Sequence, residues 1–170
     1  NSPERFLSLH ASALEARPIK GTAPRSSNPD QDRAYASALL ASEKDRAENT
    51  MIVDLLRNDL SRVSDPGSVK VPILCGLETY TNVHHLVSVV EGRLKAGLDA
   101  CDVIRAAFPG GSITGAPKRK AMEIIGRLEG IPRGAYCGAM GYIGFDGAMD
   151  LNIAIRTASF TRNTVHFSVG

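Results

Sequence analysis

The spacing of apolar and polar residues divides the chain into alternating stretches of predicted strand and helix. Residues 5–16 read as strand, and residues 17–29 are predicted to be a loop because prolines and a glycine interrupt them. A helical stretch begins at Asp30, and its second part has the period of an amphipathic helix that ends near Asp65-Pro66-Gly67. The apolar positions of that second part are Met51, Ile52, Leu55, Leu56, Leu60 and Val63.

The second half of the chain predicts strands over residues 68–94, a short helix from Asp99 or Ala100 to Phe108, and a helix from Ala116 to about Leu128. Two further strands, residues 136–145 and 149–160, are joined by the hairpin signal Asp146-Gly147. Folding about that turn places Tyr136 roughly opposite Arg156. Mixed runs of helices and hairpins of this kind predict an α+β fold.

Composition restricts the functional classes that remain open. The chain has 170 residues, 43% of them hydrophobic, which is enough for one globular domain with a core of its own. A net charge of +2 without a basic run gives no indication of nucleic acid or membrane partners, and no apolar stretch approaches the roughly 18 residues of a membrane helix. The three cysteines form no CxxC pair, so we expect them to be reduced and buried, as suits a cytoplasmic protein.

Both ends of the sequence suggest a longer parent chain. The first residues contain no initiator Met, and the last residues stop while a strand pattern is still running. We therefore interpret residues 1–170 as a fragment of a longer protein.

Two acidic residues, Asp45 and Glu48, lie three positions apart in the predicted helix and so share one face. Two carboxylates one turn apart suit Mg²⁺, which completes its shell with water and substrate oxygens. The alternative is an ordinary solvated face beside Lys44 and Arg46. The charged stretch 54–59 that follows is either an ion-paired helix face or a support for the acidic pair.

Glycines and hydroxyls are concentrated in the segment Pro109–Gly115, just before a predicted helix. Exposed N–H groups at such a place favour an anion, and Ser112 and Thr114 can add hydrogen bonds. A nucleotide phosphate loop is excluded because Ala116 stands where that motif requires lysine. A carboxylate is the more natural guest, although the glycines are also explained by a tight loop.

Three further candidates have ordinary structural alternatives. Of the pair His84-His85, at most one side chain faces a given site, because neighbours in a strand point to opposite sides. Tyr136 and Arg156 can grip a carboxylate together or form a simple cross-strand pair. Lys20, in a Pro/Gly-rich segment, is either exposed or a nucleophile whose amine is partly deprotonated.

Read together, these segments resemble the chorismate-binding enzymes, and in particular their aminodeoxychorismate synthase branch. The resemblance covers essentially the whole chain and is carried by residues 2–6, 18–22, 45–49, 51–59, 67–72, 83–88, 109–118 and 154–157. The similar anthranilate synthases usually carry a small residue at the position of Lys20, so this lysine points to the aminodeoxychorismate branch.

The resemblance implies a fold of antiparallel β-sheets packed in a sandwich with helices outside, and a set of roles for single residues. Lys20 is the implied nucleophile, with Glu4 and His85 as candidates for proton transfer. The implied metal is Mg²⁺, held by Glu48 with Asp45 nearby. The implied substrate-binding residues are Gly21, Thr22, Ser112, Thr114, Tyr136 and Arg156.

The implied reaction converts chorismate and ammonia to 4-amino-4-deoxychorismate for para-aminobenzoate and folate synthesis. The chain has no glutaminase signature, so ammonia is expected from solution or from a glutamine amidotransferase partner. The resemblance also implies that residues 1–170 are part of a single chorismate-binding catalytic domain, and that this piece alone has little or no activity because further segments of the family are absent from it. Two alternatives stay open: an anthranilate synthase large subunit, and a non-catalytic remnant that only binds chorismate or the partner.

Overall fold

The computed structural model describes residues 2 and 4–168 and shows an α+β architecture in which every strand pairing is antiparallel, as the sequence predicts. The helices are α1 (Pro29–Ala41), α2 (Glu43–Ser61), α3 (Ala100–Ala107) and α4 (Lys118–Leu128). The strands are β1 (Arg5–His10), β2 (Ala13–Arg17), β3 (Ile19–Pro24), β4 (Lys70–Thr79), β5 (Val83–Arg93), β6 (Ala139–Ile143), β7 (Met149–Ile153), β8 (Ala158–Thr161) and β9 (Thr164–Phe167).

In the part of the chain that the structure describes, seven strands form one sheet, and β8 pairs with β9 in a separate hairpin. Strand β5 joins three other strands of the large sheet. It pairs with β4, and it also pairs with β3 through its first half and with β2 through its second half. From β2 the sheet continues through β1 and β7 to β6. This order puts the start of β1 and the whole of β3 on neighbouring parts of the same sheet.

The hydrophobic core lies between this sheet and helices α2 and α3. Helix α2 contributes residues of its amphipathic stripe, among them Ile52, Leu56 and Leu60, and they pack against apolar side chains of β1, β2, β5 and β7. Each fully buried leucine of this kind contributes about 1.5–3 kcal/mol relative to an exposed one. The packing therefore fixes α2 firmly across the strands that carry the candidate site.

The prediction of a loop over residues 17–29 is wrong for its first half, because Ile19–Pro24 forms strand β3. This segment pairs with β5 although it contains proline and glycine. Pro24 is the last residue of the strand, and Gly21 lies within a register shift between Ile19 and Thr22. The φ of Gly21 is +92°, a conformation that residues with a Cβ rarely adopt. Lys20 therefore lies in a bulged strand and not in a turn.

The predicted helical stretch from Asp30 is divided into two helices at Ser42, which has extended backbone angles. Its hydroxyl accepts a hydrogen bond from the Asp45 backbone N–H and so caps α2. Helix α2 ends at Ser61, a few residues before the predicted end. Helix α4 begins two residues later than predicted, directly after Pro117.

The two predicted strands near the carboxyl end are shorter than expected. Their register about Asp146-Gly147 is confirmed, with Ala139 opposite Ile153. The second strand stops at Ile153 because the chain turns there: the Ile155 N–H donates to the Ile153 carbonyl, and Arg156 has a φ of +51°. Tyr136 and Arg156 consequently lie just beyond the paired residues.

The cysteine prediction is confirmed for two of the three residues. Cys75 and Cys137 are buried free thiols, but Cys101 is exposed. It lies on the outer side of α3, whose inner side is formed by Ala100, Val103 and Ala107. Among the described residues, none of the helices has the length and apolar character that a bilayer crossing requires.

Candidate active site

Glu4, at the start of β1, is a nearly buried carboxyl group whose backbone carbonyl accepts a hydrogen bond from Ile153 of β7. Burial is the main cause that raises its pKa to about 7. A hydrogen bond with the Ser112 side chain, the charge of Lys20 and a hydrogen bond with the Ile19 backbone act in the opposite direction. A carboxyl group of this kind can both release and accept a proton near neutral pH.

Lys20 of β3 forms an ion pair with Glu48 of α2 close to Glu4. Its Nζ atom lies 3.6 Å from Oε2 of Glu48. Both side chains are more than one third exposed, so the ion pair itself adds little to stability. What matters is its position, because one ammonium group lies between the buried Glu4 and the accessible Glu48.

The helical spacing predicts that Asp45 and Glu48 share one face of α2, and in the structure both lie next to β3. A Cβ placed on Gly21 would lie 3.0 Å from the Asp45 Cβ, so the lack of a side chain lets the strand approach Asp45 closely. Asp45 is already partly engaged, because its Oδ2 accepts a hydrogen bond of 2.6 Å from the Ser42 hydroxyl.

The donor set at this place fits Mg²⁺, which commonly takes one or two carboxylates together with water and substrate oxygens. The two candidate ligands are Glu48, whose side chain is 40% exposed, and Asp45, its neighbour one turn earlier in α2. Within residues 2 and 4–168, no cluster of three or more His, Cys, Asp or Glu side chains forms a closed metal cage.

The glycine-rich segment between α3 and α4 brings Ser112 to Glu4. Its glycines serve close packing: a Cβ on Gly110 would meet Ile153 at 2.7 Å, and a Cβ on Gly111 would meet Leu55 at 3.0 Å. Thr114 behaves differently from Ser112, since its hydroxyl donates to the Gly110 carbonyl within the same loop.

His85 and His84 point to opposite sides of β5, as predicted, and both are buried. The Nδ1 atom of His85 lies 2.8 Å from the Thr22 hydroxyl. Burial lowers the pKa of His85, and the positive charge of Arg156 acts in the same direction. His84 instead contacts the Thr79 hydroxyl and the Asp32 carboxylate at 2.9 and 3.1 Å, so its interactions are with β4 and α1.

Tyr136 and Arg156 line one cavity of about 420 Å³, together with residues that include Ile155, Thr157 and Phe167. Because the charge of Arg156 reaches His85, this cavity is electrostatically connected to the histidine. The predicted proximity of Tyr136 and Arg156 is therefore found in the structure, although the two residues form a cavity wall and not a strand pair.

Sequence reasoning missed the polar residues that hold these elements in place. Asn49 is fully buried next to Glu48, where its amide donates to the Leu86 carbonyl and its oxygen accepts from the Ser88 hydroxyl. The only available signal was an asparagine among the apolar positions of α2. Lys118 and Arg133 were missed as well, because their partners are distant in the sequence.

The ion-paired interpretation of the stretch 54–59 is confirmed. Arg57 binds Asp54 on the exposed face, and Asp59 binds Arg62 and Lys118.

Comparison with known proteins gives a consistent result. Residues 1–170 match the sequence family described as chorismate binding enzyme. Aminodeoxychorismate synthase component 1 of Salmonella typhimurium is 56% identical over 169 residues, which are 99% of this chain and 37% of that protein. Anthranilate synthase component 1 of Aquifex aeolicus is 46% identical over 170 residues, covering 100% of this chain and 34% of the relative.

Among solved structures, anthranilate synthase component I from Streptococcus pneumoniae superimposes with a TM-score of 0.82 at 43% identity. The match covers 92% of this chain and 34% of that one. The present chain thus spans little more than a third of the length of these relatives.

Proposed function

Because the chain belongs to the chorismate binding enzyme family, we propose that it forms part of an aminodeoxychorismate synthase and carries the groups that react with chorismate. The observation that carries this proposal is the arrangement of Glu4, Lys20 and Glu48. It combines an amine nucleophile, a carboxyl group with a pKa of about 7 and an accessible acidic side chain in one place.

In this proposal the substrate lies between β3, the glycine-rich loop and the cavity beyond β7. Tyr136 and Arg156 bind the enolpyruvyl carboxylate, since a guanidinium and a phenol are both hydrogen-bond donors. Gly21, Thr22 and Ser112 line the pocket around the ring. Thr114 supports the loop through its bond to Gly110 and lies behind this lining.

The chemistry proposed for Lys20 has two stages. First, the neutral amine bonds to C2 of the ring, the ring double bonds shift, and the C4 hydroxyl leaves as water after protonation. Ammonia then bonds to C4, the double bonds shift back, and the bond to Lys20 breaks. The enolpyruvyl group stays in place, so chorismate and ammonia become 4-amino-4-deoxychorismate and water.

Glu4 is the better placed of the two candidates for proton transfer. Its carboxyl group interacts with Lys20 and holds a proton near neutral pH, so it can protonate the leaving hydroxyl and then accept a proton from the amine. His85 has a lowered pKa and therefore stays neutral at pH 7, where it can hydrogen-bond Thr22 and the substrate.

Glu48 and Asp45 are the proposed ligands of Mg²⁺, which when bound supplies positive charge for the ring carboxylate of chorismate. In the present arrangement Glu48 pairs with Lys20 across 3.6 Å.

The partner proposed for this protein is a glutamine amidotransferase that supplies ammonia. Support comes from the relatives that are called component 1, a name that implies a second component. We expect the assembled enzyme to act in the cytoplasm.

The test is to incubate the full natural chain with chorismate, Mg²⁺ and ammonium, and to identify the product by mass spectrometry. A product that keeps the enolpyruvyl group supports the proposal, and anthranilate with pyruvate would replace it by the anthranilate synthase alternative. Binding of chorismate without turnover would instead favour a non-catalytic role.

A further inference from the structure

We infer that Lys118 and Asp59 position Ser112 against Glu4 by closing the base of the glycine-rich loop. This inference rests on the proposed function for its importance, since Glu4 is the proposed acid and base. Its physical content can nevertheless be tested without any turnover of chorismate.

Lys118 joins the two ends of the loop. Residues 108–117 connect α3 to α4, and Lys118 is the first residue of α4. Its Nζ atom donates to the carbonyl of Ala107, the last residue of α3, over 2.8 Å. One ammonium group thereby holds the residue before the loop next to the residue after it.

Asp59 of α2 binds Lys118 and so links the two joined ends of the loop, Ala107 and Lys118, to the helix that packs on the core. Its Oδ2 atom lies 2.5 Å from Nζ of Lys118, and its Oδ1 atom lies 2.9 Å from the guanidinium of Arg62. The carboxylate is almost completely buried, and the Lys118 side chain is only 17% exposed. Because Asp59 belongs to α2, the loop base is tied to the same helix that presents Glu48.

The middle of the loop is held by packing on both sides. Gly110 lies against Ile153 of β7, and Gly111 lies against Leu55 of α2, in spaces that would not hold a Cβ without movement. Arg133 adds a hydrogen bond of 2.9 Å to the Ile113 carbonyl. These contacts at its ends and its middle hold the loop in the arrangement in which the Ser112 side chain hydrogen-bonds Glu4.

We interpret the buried pair of Lys118 and Asp59 as fixing the positions of the loop ends, because such a pair adds little to the free energy of unfolding. Replacing such pairs by apolar groups is often neutral for stability, whereas losing one partner leaves a buried charge. After loss of Lys118, Arg62 still neutralises Asp59, but nothing then holds the Ala107 carbonyl to the start of α4. The expected consequence is a displaced Ser112 in a protein that still folds.

The readout is the pKa of Glu4, followed by ¹³C NMR of the labelled carboxyl group and assigned with Glu4→Gln. The groups that face Glu4 are Lys20, the Ser112 side chain and the Ile19 backbone. Loss of the Ser112 hydrogen bond should raise the pKa, by about 0.5 or more in Ser112→Ala. If Lys118 acts through Ser112, then Lys118→Met raises the pKa in the same direction.

The decisive comparison is the double variant. We expect Lys118→Met to add no further rise in the Ser112→Ala background, and we expect Lys118→Arg to restore part of the original value. The matched control is Lys120→Met, which changes an exposed lysine of the same helix that pairs with Glu123. This control should leave the pKa of Glu4 unchanged.

The inference is overturned if Lys118→Met folds and the pKa of Glu4 does not move, or if it moves equally with and without Ser112. If Lys118→Met does not fold, Asp59→Asn is measured in the same two backgrounds, and the same outcomes decide. Failure of chorismate turnover with the pKa pattern intact would count against the proposed function and leave this inference standing.

Discussion

Two regions of the molecule differ in how completely their apolar side chains are buried. Strands β1, β2 and β5 with helices α2 and α3 bury theirs in one continuous core. Helix α4, strand β6 and the β8–β9 hairpin instead leave large apolar residues exposed, including Met122, Leu128, Met140 and Phe160. We call the first the packed region and the second the open region.

The candidate site draws on both regions. Glu48 belongs to α2 of the packed region and Glu4 directly precedes β1, while Lys20 lies on β3, which pairs with β5 of that region. Tyr136 and Arg156 belong to the open region, next to β8 and β9. The difference teaches that the groups proposed to react lie on elements packed in the core or paired with it, whereas the proposed carboxylate-binding groups depend on a smaller set of local contacts.

The largest effect is expected for Lys20→Ala on β3, the strand beside the packed region. Removal of the proposed nucleophile should lower kcat for product formation by roughly three orders of magnitude or more, and no covalent adduct should form. Activity of the full natural chain with chorismate, Mg²⁺ and ammonium measures this. The control is Lys44→Ala, which removes an exposed lysine of α2 and should leave the activity unchanged. Full activity in Lys20→Ala would remove the nucleophile role.

Leucines from the two regions provide a direct test of the packing difference. Leu60 has no exposed surface, and Leu128 is 80% exposed. Leu60→Ala should lower the free energy of unfolding by about 2–5 kcal/mol, whereas Leu128→Ala should change it by no more than about 0.5 kcal/mol. Urea unfolding followed by circular dichroism measures both. Equal losses would show that the distinction between packed and open regions does not hold in solution.

Glu4→Gln tests the burial of Glu4 beside the packed region through the pH dependence of the free energy of unfolding. The pKa of Glu4 is raised from 4.5 to about 7 in the folded protein, so the folded state keeps a proton that the unfolded state releases. Stability from this group is therefore present below pH 4.5 and is lost as the pH rises towards 7. The loss is about 3 kcal/mol, at about 1.4 kcal/mol per pKa unit.

The measurement is the free energy of unfolding of Glu4→Gln and of the parent protein at pH 4 and pH 8. We expect the variant to gain up to about 3 kcal/mol relative to the parent at pH 8 compared with pH 4. A difference that stays the same at both pH values would mean that the Glu4 carboxyl has an ordinary pKa.

The smallest effect is expected for Tyr136→Phe in the open region. Loss of one hydrogen bond to a substrate carboxylate should raise KM for chorismate by about 2- to 10-fold with little change in kcat. Steady-state kinetics measure this, and Tyr142→Phe in the exposed strand β6 is the matched control. A fall in kcat at unchanged KM would place Tyr136 among the reacting groups and not in the binding of the carboxylate.

Much of the fold and part of the site could be predicted from the sequence, because the relevant signals are local. The amphipathic period of α2 predicts its buried stripe, and Asp146-Gly147 predicts the register that pairs Ala139 with Ile153. The spacing of Asp45 and Glu48 places both on one helix face, and alternation along β5 separates His84 from His85. Each of these follows from the geometry of one helix or one hairpin.

Only the tertiary structure decided what lies opposite each of these residues. Residues 17–24 have the composition of a loop, and pairing with β5 makes a strand of Ile19–Pro24 that brings Lys20 to Glu48. The pKa of Glu4 depends on burial under distant segments, and the link from Lys118 to Asp59 joins residues 59 positions apart. A local pattern determines the direction in which a side chain points along its own element, but its partners and its solvation depend on long-range packing, which no short stretch of sequence contains.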